Sequence, residues 1–393
     1  MFASRLPPQL EPNRLSRALA AARRSGARLL DLTATNPTAA SLSYPGVLRS
    51  ALSDARAATY DPDPRGRREA RAAIAAAWDA EGKAVDPDRL VLTASTSEAY
   101  SFLFKLLCDP GDAVLVPQPS YPLFDLLTTL DAVTSQPYRL DYHGAWSIDR
   151  PSLEAACTDR TRAVLVVSPN NPTGSMLRAD DRAWLRRFCA ARDLAIVADE
   201  VFAEYPLERR ADACRAIGAT TPEALTFALG GLSKSVGLPQ LKLAWIVADG
   251  PDRLVAPALE RLDVIADSYL SVSTPVQVAA PVLLDAGREV RTAIAARLRR
   301  NLDRLKAAAK AVPPVSVLPP EGGWSVAVRV PAVASDEDLA RHLIEDEGVV
   351  VHPGYFFDFH AEAFLVISLL TEPETFDAGV ERVLATIARS VAT

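Results

Sequence analysis

The sequence predicts an α/β protein built on a mostly parallel sheet, and three observations carry that prediction. Short runs nearly continuous in Val, Leu, Ile and Ala recur through the middle of the chain. Such strands are buried on both faces, as parallel strands between two helix layers are. Longer stretches of helical periodicity lie between the runs, which gives the alternation of an α/β fold. Small polar and charged residues follow the runs directly, at the carboxyl ends where open α/β sheets bind ligands.

Taken in order, the first 45 residues hold Pro7, Pro8, Pro12 and a helix around Arg14–Ser25, and are expected to cross over onto the C-terminal part. Strands are expected at Leu90–Thr93, Ala113–Pro117, Ala163–Ser168, Leu194–Asp199, Leu225–Leu229 and Leu241–Ala248. Helices are expected at Ser97–Leu107, Tyr121–Leu130, Arg178–Arg192 and Asp252–Ala266. The last third reads differently. A long Arg-rich amphipathic helix (Arg288–Ala311) is followed by a break at Pro313, Pro314, Pro319 and Pro320. Then come a strand (Gly323–Val330), a helix (Asp336–Glu347), short strands (Val349–His352, Phe364–Leu369) and a closing helix (Pro373–Arg389). The division expected is a large domain of residues 46–280 and a small α+β domain made of 1–45 and 281–393.

Composition narrows the function. At 393 residues, 49% hydrophobic and 23% charged, the chain has the balance of a globular protein, not of a disordered one. A net charge of −6 argues against a nucleic-acid surface. No stretch of 18 residues is apolar and uncharged, so no membrane span is expected. The opening MFASRLPPQLEPNRLSR has no apolar core of signal-peptide type. Cys108, Cys157, Cys189 and Cys214 lack metal or disulfide spacing. A cytoplasmic protein without a metal is expected. Only six of the 43 basic residues are lysine. Lys83, Lys306 and Lys310 sit in polar, helix-like surroundings and need no special role. A lysine at a strand end does need explaining, because arginine cannot do amine chemistry.

The strand ends supply the candidates. Ala94-Ser95-Thr96-Ser97-Glu98 opens a helix; it reads either as an N-cap backed by Glu98 or as an anion cradle. Neither a Walker lysine nor a G-x-G-x-x-G occurs, which disfavours P-loop ATP binding and Rossmann NAD binding. Asn171 follows the third strand, Asp199 ends the fourth, and Ser233-Lys234 follow the fifth. An acid and an amine thus meet at one sheet edge. A cofactor with a cationic ring nitrogen and an aldehyde would use both.

Ordered motifs make this specific: Asn36-Pro37, Tyr60 with Gly66 and Arg71, Thr93 to Ala99, Pro110-Gly111-Asp112, Pro117 to Pro122, Ser168-Pro-Asn-Asn-Pro-Thr-Gly174, Ala198-Asp199-Glu200, Ser233-Lys234 and Pro353-Gly354. Over roughly residues 30 to 385 the sequence resembles fold-type I pyridoxal 5′-phosphate (PLP) enzymes of the class I/II aminotransferase family. The resemblance implies the type I PLP-dependent transferase fold, with a mostly parallel, seven-stranded type of sheet. It implies a homodimer with shared active sites. It also implies transfer of an amino group between an amino acid, or a related amine, and a 2-oxo acid through a Lys234 Schiff base. By that resemblance Lys234 is the catalytic amine and Asp199 the partner of the ring nitrogen. Asn171 donates to the ring's 3′-oxygen and faces substrate with Asn36. Tyr121 stacks on the ring and Val201 packs beneath it. Ser95, Thr96, Ser97, Ser233 and Lys242 hold the phosphate. Tyr60 reaches the partner subunit's phosphate.

Four departures stand out. Phe202 replaces a tyrosine, so the 3′-oxygen loses a donor. Lys242 replaces an arginine and keeps the charge but not the bidentate fork. Gly231 replaces a hydroxyl residue. Val366 stands where the family places the arginine that grips the substrate carboxylate, and no arginine occurs from Pro353 to Glu381. Arg329, His352 and His360 are the candidate replacements. The missing arginine keeps an alternative open: a lyase, decarboxylase or cyclase of the same fold. The run Tyr355-Phe356-Phe357-Asp358-Phe359 is expected to border the site.

Overall fold

A computed structural model of the protein describes residues 3–7, 11–78 and 84–392. Pro8 and Lys83 lie outside these. Helix α1 (Arg14–Arg24) and strand β1 (Leu30–Asp31) lead in, followed by α2 (Val47–Ser50) and α3 (Arg68–Ala77). The central α/β region runs β2 (Leu90–Thr93), α4 (Thr96–Leu107), β3 (Ala113–Gln118), α5 (Leu123–Leu130), β4 (Thr134–Tyr142), β5 (Trp146–Ile148), α6 (Arg150–Ala156) and β6 (Thr161–Val167). It continues through α7 (Ala179–Ala190), β7 (Ala195–Asp199), β8 (Thr226–Gly231), α8 (Leu232–Ser235), β9 (Ala244–Asp249) and α9 (Asp252–Asp267). After α10 (Thr274–Ala309) come β10 (Ser316–Val317), β11 (Ser325–Arg329), α11 (Asp336–Glu345), β12 (Val349–Val350), β13 (His352–Pro353), β14 (Phe364–Ser368) and α12 (Pro373–Ala392).

The large sheet has the order β2-β9-β8-β7-β6-β3-β4-β5. The pairs from β8 through β7, β6 and β3 to β4 are parallel; β9 runs antiparallel to both β2 and β8. The inner strands are buried on both faces, as their apolar runs require. Along β7, Ala195 and Val197 pack on the α4/α9 side and Ile196 and Ala198 on the α7 side. The sheet has eight strands, one more than the seven-stranded type expected. Strand β5 folds back antiparallel on β4, with Leu140 opposite Ile148. Strand β4 escapes an apolar-run criterion because it is largely solvated: only Tyr138 and Leu140, two apart, are buried in it.

The terminal segments meet. Strand β1 pairs with β12, and Ala18 of α1 packs with Ile344 and Val350. Arg14 adds exposed ion pairs to Glu337 and Asp338. A four-stranded antiparallel sheet, β10-β11-β14-β13, stands nearby. Helix α10 begins 14 residues before the Arg288 start expected, runs 36 residues, and crosses the expected boundary at 280/281. It passes through Pro281 and Gly287, both poor helix residues, because packing overrides propensity. A Cβ at Gly287 would lie 2.5 Å from Val236, just after α8. Among the described residues no helix is long and apolar enough to cross a membrane.

Candidate active site

The carboxyl ends of β6, β7 and β8 and the N-terminus of α4 enclose a cavity of about 330 Å³. Asp199 is the last residue of β7. Strand β8 runs through Gly231 into the short helix α8, which carries Ser233 and Lys234. Asn171, Val201 and Tyr121 complete the walls, and Ser95, Thr96 and Ser97 close the α4 end. Nine of the twelve candidate site residues therefore line one cavity, as do Gly231 and Phe202.

Its two charged groups face each other across a desolvated space. The Asp199 carboxylate accepts hydrogen bonds from the Val201 N–H and the Tyr100 hydroxyl, each at 3.1 Å. Burial still raises its pKa to about 6; both hydrogen bonds pull it down and Glu200 pushes it up. Burial lowers the pKa of Lys234 to about 8, with the Asp199 charge opposing the change. The ammonium lies 4.7 Å from the Trp324 ring centroid and 5.4 Å from that of Phe202, and the aromatic faces stabilise its charge. Tyr205 donates a 2.5 Å hydrogen bond to the Lys234 carbonyl and so fixes α8.

At the α4 end both sequence readings hold, each on different atoms. Ser95 Oγ accepts from the Glu98 N–H at 3.1 Å, and Glu98 returns a bond to the Ala94 N–H at 2.6 Å. The Ser95 hydroxyl oxygen therefore serves as the N-cap acceptor. The N–H groups of Thr96 and Ser97 have no intrahelical acceptor, as in any first turn, and they are available to an anion at the positive end of the helix dipole. Gly231 has a steric reason as well: a Cβ there would lie 3.1 Å from that of Ala244 on the paired strand. Asn171 Oδ1 is buried without a partner. A helix end with open N–H groups, a half-buried carboxylate and an amine of lowered pKa together fit PLP.

Three of the expected residues lie outside this cavity. Asn36 does not line the cavity. Its carboxamide caps the turn Pro37–Ala39, accepting from the Thr38 N–H at 3.1 Å and the Thr38 hydroxyl at 2.7 Å. The preceding residue, Thr35, lines the wall instead. Lys242 is exposed, in a left-handed backbone conformation, and is not among the lining residues; its ammonium is best solvated in water. Tyr60 is 73% exposed and borders a separate cleft with Leu270 and Ser271.

A second cavity, of about 360 Å³, adjoins the first. Val366 lines it, paired in register with Ala327 on one side and His352 on the other. Of the three proposed substitutes for the missing arginine, only His352 reaches this wall. Arg329 is exposed at the end of β11, opposite Phe364; His360 is exposed and lines neither cavity. Phe356 and Phe357 of the aromatic run do border the site. Sequence reasoning missed Tyr100, Trp324, Tyr205 and Thr35. A buried tyrosine needs a partner for its hydroxyl, so Tyr100 on the apolar face of α4 was a readable signal. Nothing in the pattern marked Trp324.

This is the fold and the site of a PLP-dependent enzyme of fold type I. The family model of class I and II aminotransferases matches residues 29–383, and the chain belongs to that family. Alanine aminotransferase of Mycobacterium tuberculosis H37Rv is 26% identical over 91% of this chain and 85% of its own. The glutamate–pyruvate aminotransferase AlaA of Escherichia coli K12 is 25% identical over 85% and 84%. In structure, the alanine aminotransferase of Pyrococcus furiosus superimposes with a TM-score of 0.87 at 22% identity, covering 99% of this chain and all of that one. The protein is a PLP-dependent aminotransferase. The alternative of a lyase, decarboxylase or cyclase is not favoured by these relatives.

Proposed function

We propose that Lys234 is the amine that holds PLP and later moves the proton as the amino group passes between an amino acid, or a related amine, and a 2-oxo acid. The observation that carries this reading is the half-buried Lys234 amine, of lowered pKa, sharing one cavity with the Asp199 carboxylate. When bound, PLP supplies an aldehyde that condenses with amines and a ring that takes up the electron pair of a carbanion. Asp199 holds a proton on the ring nitrogen, and Tyr100 and the Val201 N–H hold Asp199 in place. Asn171 orients the ring's oxygen. Tyr121 and Val201 cover the two ring faces. The first-turn N–H groups of α4, with Ser233, would receive the phosphate. Lys234, freed near neutral pH by its lowered pKa, is a competent base at pH 8.

The same proposal includes a cytoplasmic homodimer and the division into residues 46–280 and 1–45 with 281–393. Tyr60 supports the dimer, since it is exposed beside the exposed Tyr269 and Leu270, an apolar grouping that a second copy would cover. Borohydride reduction of the loaded enzyme, followed by peptide mapping, should find the cofactor on Lys234. An unmodified Lys234 would overturn the assignment. Incubation with an amino donor should leave the cofactor stably in its amine form; return to the starting form would favour the lyase class.

A further inference from the structure

The second cavity shares Thr35, Tyr121 and Asn171 with the first. A donor whose amino group reaches Lys234 therefore extends an arm along this wall. The wall is apolar, formed by Leu126, Phe356, Phe357 and Val366. Among the described residues neither arginine, lysine nor carboxylate lines it. The one group there that titrates near neutrality is His352. Its ring lies flat on Phe356, centroids 5.1 Å apart and planes within 4°, and edge-on to Phe357 at 5.7 Å. Burial holds the imidazole below the usual histidine value, against the pull of Asp31, so it is neutral at pH 7.

The hydroxyls on the rim do not replace a cation. Ser368 donates to the Ala34 carbonyl and accepts from the Leu370 N–H at 3.2 Å. Thr33 donates to Asp31 at 2.6 Å. Val366 itself is 1% exposed, in the middle of a three-strand register. A carboxylate pressed against it loses water and meets no cation among the described residues of this chain, an arrangement proteins avoid. An aryl or branched alkyl group loses only unfavourable hydration there.

We propose that this cavity receives an uncharged, apolar arm of the amino donor. The preferred donors are then primary amines that carry an aryl or branched alkyl arm and no carboxylate at that position. The inference rests on Lys234 being the reactive amine. It is tested on the loaded enzyme with two matched pairs of probes. Calorimetry compares 3-phenylpropan-1-ol with 3-phenylpropanoate, and the first half-reaction compares 2-phenylethylamine with phenylalanine. The uncharged member should bind, or react by kcat/KM, about tenfold better or more. Val366→Arg should reverse both preferences; the wild-type comparison stands alone should that variant not fold. Equal or tighter binding of the acid by the wild type overturns the assignment. Undetectable binding of both probes overturns it too, because an apolar subsite must hold the alcohol. Borohydride mapping of the same samples keeps the two readings apart: a labelled Lys234 with a preferred acid sinks only the subsite.

Discussion

The two adjoining cavities differ in what their walls ask of a ligand. The Lys234 cavity carries one cation, one anion and an anion-binding helix end; the Val366 cavity carries none of these. Chemistry needs fixed charges and hydrogen bonds, because proton transfer and electron withdrawal are electrostatic tasks. Selection of a substrate arm needs only shape and hydration, and those tolerate wide change. The difference teaches that one family chain can keep its reaction in one cavity and rewrite its specificity in the next.

Lys234→Met should break the comparison most sharply. Turnover should fall by about 10⁴-fold or more, since the reactive amine and the proton carrier disappear together. The cofactor-free protein should be no less stable, and more stable at pH 7. Its folded-state pKa of about 8 lies below the ordinary lysine value, so the fold disfavours the charged form. That cost is present below pH 8 and is relieved as pH rises from about 8 towards 10, so the gain from methionine, about 3 kcal/mol at most, should shrink over that range. Thermal melts at pH 7 and pH 10 check it; a lower melting point at pH 7 would refute the buried-charge account. Asp199→Asn should cost about 10³-fold in turnover. The carboxylate's pKa is raised from 3.8 to about 6, so stability is lost as pH climbs from the lower value to the upper and stays lost above it, and asparagine should remove this loss. Equal turnover would move the ring-nitrogen role elsewhere.

Tyr100→Phe sharpens the picture with a smaller effect. The lost hydrogen bond is worth about 1 kcal/mol. It favours the carboxylate, so without it the pKa of Asp199 should rise further. The acid limb of cofactor binding by the apoprotein, followed by absorbance against pH, should move to higher pH. A limb that stays put, or moves down, would separate Tyr100 from Asp199. The smallest effect belongs to Ser95→Ala: about 1 kcal/mol of stability from the lost cap, with cofactor affinity changed less than twofold if the backbone N–H groups do the binding. A large loss of affinity would return the hydroxyl to the phosphate.

The Lys234 cavity was legible in the sequence because its parts are short motifs at strand ends, where the fold class alone sets their direction. Asp199, Asn171 and Lys234 converge for that reason. Strand β4 was not legible, since its solvated face breaks the apolar run. Tyr100 and Trp324 come from elements whose spatial approach no local pattern encodes. Asn36 failed differently: a motif residue whose side chain the backbone claims for a turn, while its neighbour Thr35 takes the wall. Val366 reads from the sequence as a departure, but its surroundings belong to three strands and a turn brought together only by folding.

Helix α10 gears these two cavities together. At 1.5 Å per residue its 36 residues make a beam about 54 Å long. Pro281 removes one rung near the end of the beam that approaches Val236, and bending is cheapest there. A swing of about 5° about that point moves Gly287 by about 1 Å and the far end by about 4 Å. That far end packs on α12 and β10, and β10 belongs to the sheet that carries Val366. One helix thus touches the segment that carries the amine near its beginning and the sheet that carries the selecting wall near its end, so a single element sets the spacing of both.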